Sequence, residues 1–527
     1  MKKIVAFMLM ISAAGYCYAQ GNGLDMNFGQ KGKVVTTIRY GAGEQVISLA
    51  CQSDGKIIAG GYFGSVTPGT RSVMLRYNTD GSIDRTFGNN GNVQTAYPGI
   101  GISKTGLVSI QKLSGIENIL LADYRMDSNY LFYIVANRYK PDGTKDTSFG
   151  TAGDAVILHH YLFKMIIAPD QKILMATLND TAAKFDVIRC LQNGQIDSSF
   201  GITGNASRRQ DSFSAITHTI ALQKDGKVLA GGYVYIWPTN PDTRMAVTRY
   251  TSNGDVDSSF GKDGLVLLTT NQKYIGEVTG IGLQSDNKIV VSATCDSGTG
   301  SFFYLTRLLT DGTTDSSFGN DGYMITTFGS AQCWAQELLV QDDDKLYIAG
   351  YASPGAGNQA NTFAIARYTK DGILDNTFGV NGKDTTNVGR QSVGQAATIT
   401  PNRSIVVGGY SSDWAVDLTY DFTLLRYLSG LELGILHLAA ENKPVVYPNP
   451  VSGVINIAYE TEKEEILTFK LVDMSGRTVQ VFEQEQRKSA GKHKDALVLN
   501  NNVTSGQYLL QVLGTQGSYG IKLQVAL

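Results

Sequence analysis

Apolar and polar residues alternate along most of the chain in short runs, the period-two signature of strands with one face on a core. The first complete unit shows the pattern. A run from Val46 to Cys51 meets the turn Ser53-Asp54-Gly55. A second run, Lys56 to Tyr62, ends in Gly60-Gly61-Tyr62; after a variable stretch a third run covers Val73 to Tyr77. The turn Asp80-Gly81 then leads to a fourth run from Asn92. Asp-Gly between β-prone runs is a hairpin signal, because glycine supplies the positive φ that a tight turn demands. Four short antiparallel strands in succession describe one blade of a β-propeller.

The unit recurs. Asp, two residues, Phe-Gly, two residues, Gly begins at Asp25, Asp84, Asp146, Asp197, Asp257, Asp315 and Asp375, at spacings of 51 to 62 residues. After the last copy the chain still supplies Gly408-Gly409-Tyr410 and a third run ending at Arg426-Tyr427, but no motif follows. The missing piece stands at the other end, from Asp25 to Ile38. Three strands at the end and one at the start make a seventh blade, which removes the two exposed sheet edges of an open array. The expected fold is therefore all-β: a seven-bladed β-propeller closed by the N-terminal strand, followed by a small β-sandwich.

An arginine lies eight residues before the motif aspartate in each continuous unit: Arg76 and Asp84, Arg138 and Asp146, Arg189 and Asp197, Arg249 and Asp257, Arg307 and Asp315, Arg367 and Asp375. Two residues before each arginine the position is apolar, so strand alternation turns the guanidinium toward the core, where it needs an anion. Closure then requires that Arg426 meet Asp25. One pair per unit is what a scaffold demands; the functional alternative is a ring of calcium sites. The units resemble the delta-60 repeat family, whose Leu-Asp-x-x-Phe-Gly-x-x-Gly stretch stands here at Leu24 to Gly32 and Leu374 to Gly382. The resemblance covers about residues 24 to 430. It implies a surface or secreted protein and supplies no catalytic residues. Copies depart locally: Cys190 and Leu308 replace the tyrosine after the arginine.

From Pro444 the repeat is gone. Tyr447-Pro448-Asn449-Pro450, the alternating Val454 to Ile457, then Leu471 to Arg477 and Ser505 to Leu510 suggest a small β-sandwich. Taken in this order, these segments resemble the C-terminal sorting domain of type IX secretion cargo. That likeness implies passage across the outer membrane by the type IX machinery, acting through residues 444–527, with cleavage and either release or surface attachment. At the other end, Lys2-Lys3 followed by the apolar Ile4 to Ala14 reads as a signal peptide, with cleavage after Ala19. The chain thus divides into a signal peptide at 1–19, the propeller at 20–430, a connector at 431–443 and the sorting domain at 444–527. No later stretch is apolar enough for a transmembrane helix.

Composition narrows the chemistry. Charged residues are 17% of the chain and the formal net charge is −2, which gives no electrostatic reason to expect nucleic acid as a partner. Cys51, Cys190, Cys295 and Cys333 have neither paired nor regular spacing and read as buried free thiols rather than a disulfide scaffold or zinc site. No nucleophile elbow, phosphate loop or His-Glu-x-x-His helix appears, and no cofactor is expected. Asp342-Asp343-Asp344 occupies a hairpin turn, and His159-His160 a strand end or polar loop. The Asp-Gly turns share one face of the disc and are uniform. The loops between second and third strands share the other face and vary, offering Tyr235, Trp237 and Trp414 as candidate ligand-binding residues. Two function classes follow: a binding or adhesion protein for an extracellular glycan or protein, or a secreted polysaccharide hydrolase or lyase with carboxylates near the central channel.

Overall fold

The computed structural model describes residues 23–39, 43–64, 71–95, 105–126, 131–179, 182–208, 213–236, 242–268, 275–298, 300–329, 332–353, 361–413, 420–429, 445–461, 464–473, 478–501, 503–514 and 517–526. The chain forms two compact units, the first reaching Tyr427 and the second running on from Leu428 to Leu527. No helix in the described residues is long and apolar enough to cross a membrane.

The first unit holds seven four-stranded antiparallel sheets. Blade 1 consists of Gly43–Cys51, Ile57–Gly64, Arg71–Tyr77 and Asn92–Gln94. Five further blades follow in the same order. Their innermost strands are Leu107–Leu113, His160–Ile167, Phe213–Leu222, Ile275–Leu283 and Gln332–Val340. The seventh blade takes Gln391–Ile399, Ile405–Ser412 and Asp421–Tyr427 from one end of the repeat region, and Lys33–Thr36 from the other. Lys33 pairs with Leu425 and Thr36 with Phe422.

Seven buried apolar clusters lie between adjacent blades, one for each neighbouring pair. The cluster that closes the ring joins Phe28, Phe422 and Leu424 of blade 7 to Val46, Ile57 and Val73 of blade 1. The motif phenylalanine serves the same purpose in each blade. Phe28, Phe87, Phe149, Phe200, Phe260 and Phe318 are fully buried, each contributing on the order of 2–3 kcal/mol of apolar transfer.

The arginine–aspartate pairs form in every blade. Nε of the arginine donates to the aspartate at 2.7–2.9 Å in Arg76–Asp84, Arg138–Asp146, Arg189–Asp197, Arg249–Asp257 and Arg307–Asp315. It stands 3.1 Å from Asp375 at Arg367. Arg426 Nε donates to Asp25 at 2.8 Å, across 401 residues of sequence. Each guanidinium covers its motif phenylalanine, as Arg249 covers Phe260 at 4.5 Å, a cation–π contact that also shields the pair from water. The same arginine reaches the next blade: Arg189 Nη1 donates to the Ser252 carbonyl at 2.8 Å and Arg307 Nη1 to Lys370 at 2.9 Å. Arg426 of blade 7 donates to the Thr79 carbonyl of blade 1. The motif glycine adds a main-chain stitch, with Gly29 N–H donating to Asp80 at 2.7 Å. In five blades a lysine from the first hairpin turn completes the set: Lys56 at Asp84, Lys172 at Asp197, Lys227 at Asp257, Lys288 at Asp315 and Lys345 at Asp375.

The second unit contains two sheets. One joins Val445–Tyr447, Val454–Thr461 and Gly491–Val498; the other joins Thr478–Lys488, Glu465–Asp473, Gly506–Gly514 and Gly517–Val525. Ile455, Ile457, Phe469, Leu471, Leu510 and Val525 interdigitate between them as the sandwich core.

Candidate functional site

The innermost strands of all seven blades line a central cavity of about 610 Å³. In six of the seven, a β-bulge interrupts the pairing with the second strand. Only Leu107–Leu113 runs without one. The extra residue is Ile47, Phe163, His218, Thr279, Gln336 or Gln395, and every one of these lines the cavity. A bulge bends the strand and re-aims its side chain, so residues that would have packed between blades reach the channel.

Two contacts between side chains of different blades lie in this space. Lys164 of blade 3 donates to both oxygens of Glu337 of blade 6 at 2.7 Å. His218 Nδ1 contacts the Glu277 carboxylate of the adjacent blade. The His218 ring stacks on Phe163 with centroids 4.8 Å apart and planes at 12°. Burial pushes this imidazole down to about 4 despite the carboxylate beside it, so it is neutral near pH 7. Gln395 donates to Gln45 at 3.1 Å. Toward the turn face the lining becomes apolar, with Leu49, Ile110, Ile166 and Ile167.

Toward the loop face the strands carry aromatic residues. The Gly-Gly-Tyr position holds Tyr62, Tyr233, Tyr351 and Tyr410, with Tyr124 equivalent in blade 2, and all five are half-buried. Trp334 pairs across the strand with Tyr351 and stacks on it at 4.8 Å and 16°. Tyr410 packs on Tyr420 at 4.7 Å, and Tyr124 meets Tyr161 edge-on at 5.5 Å. Burial pushes the Tyr410 hydroxyl up to about 12, with Tyr420, Tyr351 and Tyr62 adding to the effect. Tyr62 is raised by burial and then by Tyr124. Phenols of blades 6, 7, 1 and 2 are therefore neighbours, and they form an arc of rings and hydroxyls above the polar channel.

Residues 52–87, 223–260, 284–318 and 341–378 match the model of the domain of unknown function (DUF5122) beta-propeller, and residues 445–526 match the secretion system C-terminal sorting domain. The chain carries a DUF5122 β-propeller and a type IX secretion sorting domain. It is therefore an exported protein, secreted or attached at the cell surface. The matched propeller segments run from a first hairpin turn to the motif phenylalanine. Among curated proteins, none matches the sequence. Similar solved structures include the polysaccharide lyase Uly1, at 10% identity over 74% of this chain and 90% of that one, with a TM-score of 0.34. Another is an α-L-arabinanase of Penicillium chrysogenum complexed with arabinobiose, at 10% identity over 73% and 93%, with a TM-score of 0.36. A third is MPT-4, a mannose phosphorylase from Leishmania mexicana, at 12% identity over 50% and 83%, with a TM-score of 0.28.

Of the loop-face residues singled out in the sequence, Tyr235 is half-buried in Val228–Ile236 and packs edge-on against Tyr233 at 5.1 Å. Trp237 and Trp414 lie outside the described residues of the DUF5122 propeller, as does the signal peptide. The arginine–aspartate pairs sit in the blades and not in the channel. Asp344 accepts from Ser285 N at 2.7 Å, which ties one hairpin turn to its neighbour. Cys190, Cys295 and Cys333 are buried and Cys51 partly so, and none of the four is in a disulfide. No group of three metal-ligating His, Cys, Asp or Glu side chains occurs among the described residues. Sequence reading missed Lys164, His218, Glu277 and Glu337. His218 is itself a bulge residue, Lys164 and Glu337 directly follow one and Glu277 lies two residues before one, so none is placed in the channel until the bulge is seen.

Proposed function

We propose that the DUF5122 propeller is a non-catalytic extracellular binding protein whose ligand is a carbohydrate chain docking at the loop-face mouth of the channel. The observation that carries this reading is the arc of half-buried aromatic residues, among them Trp334 on Tyr351 and Tyr410 on Tyr420. Such rings offer apolar faces to sugar C–H groups and hydroxyls to sugar oxygens, on rigid strands with little entropy left to lose. The polar channel below supplies Gln336, Gln395 and Thr279 as further hydrogen-bonding groups. The sorting domain carries the propeller to where such chains occur.

A second reading, a secreted polysaccharide hydrolase or lyase, is favoured by Glu277 and Glu337 in the channel. A glycosidase needs two carboxyl groups poised about a scissile bond, one of them free to give a proton. Here Glu337 is held in a two-oxygen ion pair and Glu277 is in contact with His218, which supports binding over cleavage. A glycan array probed with the full chain, run beside a reducing-end assay on the same polysaccharides, separates the two. Retention of a polysaccharide without new reducing ends or unsaturated products is the expected result. Turnover that Glu337→Gln abolishes would establish the enzyme instead.

A further inference from the structure

Blade 3 departs from the other six at one buried position. Three residues before the paired arginine, they carry Val73, Val135, Ala246, Tyr304, Ala364 and Thr423; blade 3 carries Asp186. Asp186 pairs across the sheet with Thr177 on one side and Ser207 on the other. Its residue is 1% exposed, and Oδ1 has no hydrogen-bond partner. Asn205 Oδ1, on the outermost strand, is likewise buried and without one. Both oxygens belong to residues that line a cavity of about 420 Å³, distinct from the central channel. Leaving such acceptors dry costs more than the valines and alanines that four of the other blades carry at this position.

The rest of the lining says what would satisfy them. Lys184 stands two residues before Asp186 on the same strand and lines the same cavity. Ile157, Ile188, Ile196 and Ile202 supply an apolar wall. Burial raises the Asp186 carboxyl, while the side chain of Ser207, the charges of His160 and Lys184 and a hydrogen bond from the Asn179 backbone act in the opposite sense. A single carboxylate beside a lysine is a poor cage for a divalent cation, which wants six or more oxygens. A neutral sugar would leave the isoleucine wall facing hydroxyls. An ammonium group supplies three donors for Asp186 and Asn205, a carboxylate complements Lys184, and an aliphatic side chain covers the isoleucines.

We propose that this cavity of blade 3 binds a small apolar α-amino acid, held by Asp186 and Asn205 at its ammonium and by Lys184 at its carboxylate.

The test uses the full chain with L-leucine, N-acetyl-L-leucine and glucose as probes, read by thermal denaturation and titration calorimetry. L-Leucine in large excess over its Kd should raise Tm by about 2 °C or more. The acetylated compound, which lacks the ammonium, and glucose should not. Asp186→Asn keeps the shape and should weaken leucine binding at least tenfold. Asp186→Val, which restores the apolar character of most other blades, should abolish the response while raising Tm without ligand, so loss of binding is separable from loss of fold. An undiminished leucine affinity in Asp186→Asn overturns the proposal. So does equal binding of N-acetyl-L-leucine, or no response to leucine in the wild-type chain.

Discussion

Asp257 shows how much of this molecule is settled one residue at a time. Burial by itself would raise its carboxyl. Hydrogen bonds from Ser259 and Lys227 and the charge of Arg249 outweigh burial and hold it at about 2. The motif aspartates of the other continuous units are also lowered against their burial. A carboxyl depressed in the folded state contributes stability above its unfolded value of 3.8, and that contribution is lost as the pH falls toward 2. Acid denaturation should therefore begin below about pH 4. Asp257→Ala leaves Arg249 buried and unpaired and should cost about 3 kcal/mol in urea unfolding. Glu44 runs the other way. It is buried, accepts from Ile38 N at 2.8 Å and Arg39 N at 2.5 Å, and burial pushes its carboxyl up to about 7. A raised carboxyl contributes stability below its unfolded 4.5, which is lost as the pH rises through 7. Glu44→Gln should gain Tm relative to wild type across that interval; a constant difference would remove the assignment. The arginine pairs were legible because an eight-residue spacing repeats. The lysine that joins five of the pairs was not, because it sits in the preceding hairpin of the blade.

At the scale of the element, the blade is readable and the bulge is not. Alternation, Asp-Gly turns and the motif mark where strands start and stop, since local sterics and one-sided burial act on neighbouring residues. An extra residue in an innermost strand changes no composition and shifts the register by one position only. For that reason His218 and Glu337 could not be assigned to the channel from sequence, although Tyr62 and Tyr410 were already visible as the end of a repeated Gly-Gly-Tyr triplet. The N-terminal strand is the element with the largest consequence. Lys33–Thr36 pairs with Asp421–Tyr427, and Tyr77 of blade 1 donates to Thr36 at 3.0 Å. Removing residues 20–38 exposes the edge of Asp421–Tyr427 and the side of Phe422 and Leu424 that Phe28 accompanies. Such an edge is a template for pairing with another chain. Size-exclusion chromatography should show that deletion as aggregate, whereas Asp25→Ala should elute as wild type with a lower Tm. A monomeric, cooperatively folding deletion would contradict ring closure by this strand.

At the scale of the whole molecule, a repeated scaffold and a sorting domain are joined in one exported chain. The sandwich has its own core of Ile455, Phe469 and Leu510. Deleting residues 444–527 should leave a folded propeller retained in the periplasm; normal appearance of that truncation outside the cell would refute its role in sorting. The proposed ligand docks at the mouth of the channel, where Trp334 and Tyr351 are both half-buried and stack on each other. The most direct measurement is calorimetric titration of the polysaccharide retained on the array into the wild-type full chain and into Trp334→Ala. Binding at the mouth predicts at least a tenfold loss of affinity, about 1.4 kcal/mol, with the cooperative unfolding transition preserved. Unchanged affinity in a folded Trp334→Ala chain would contradict it.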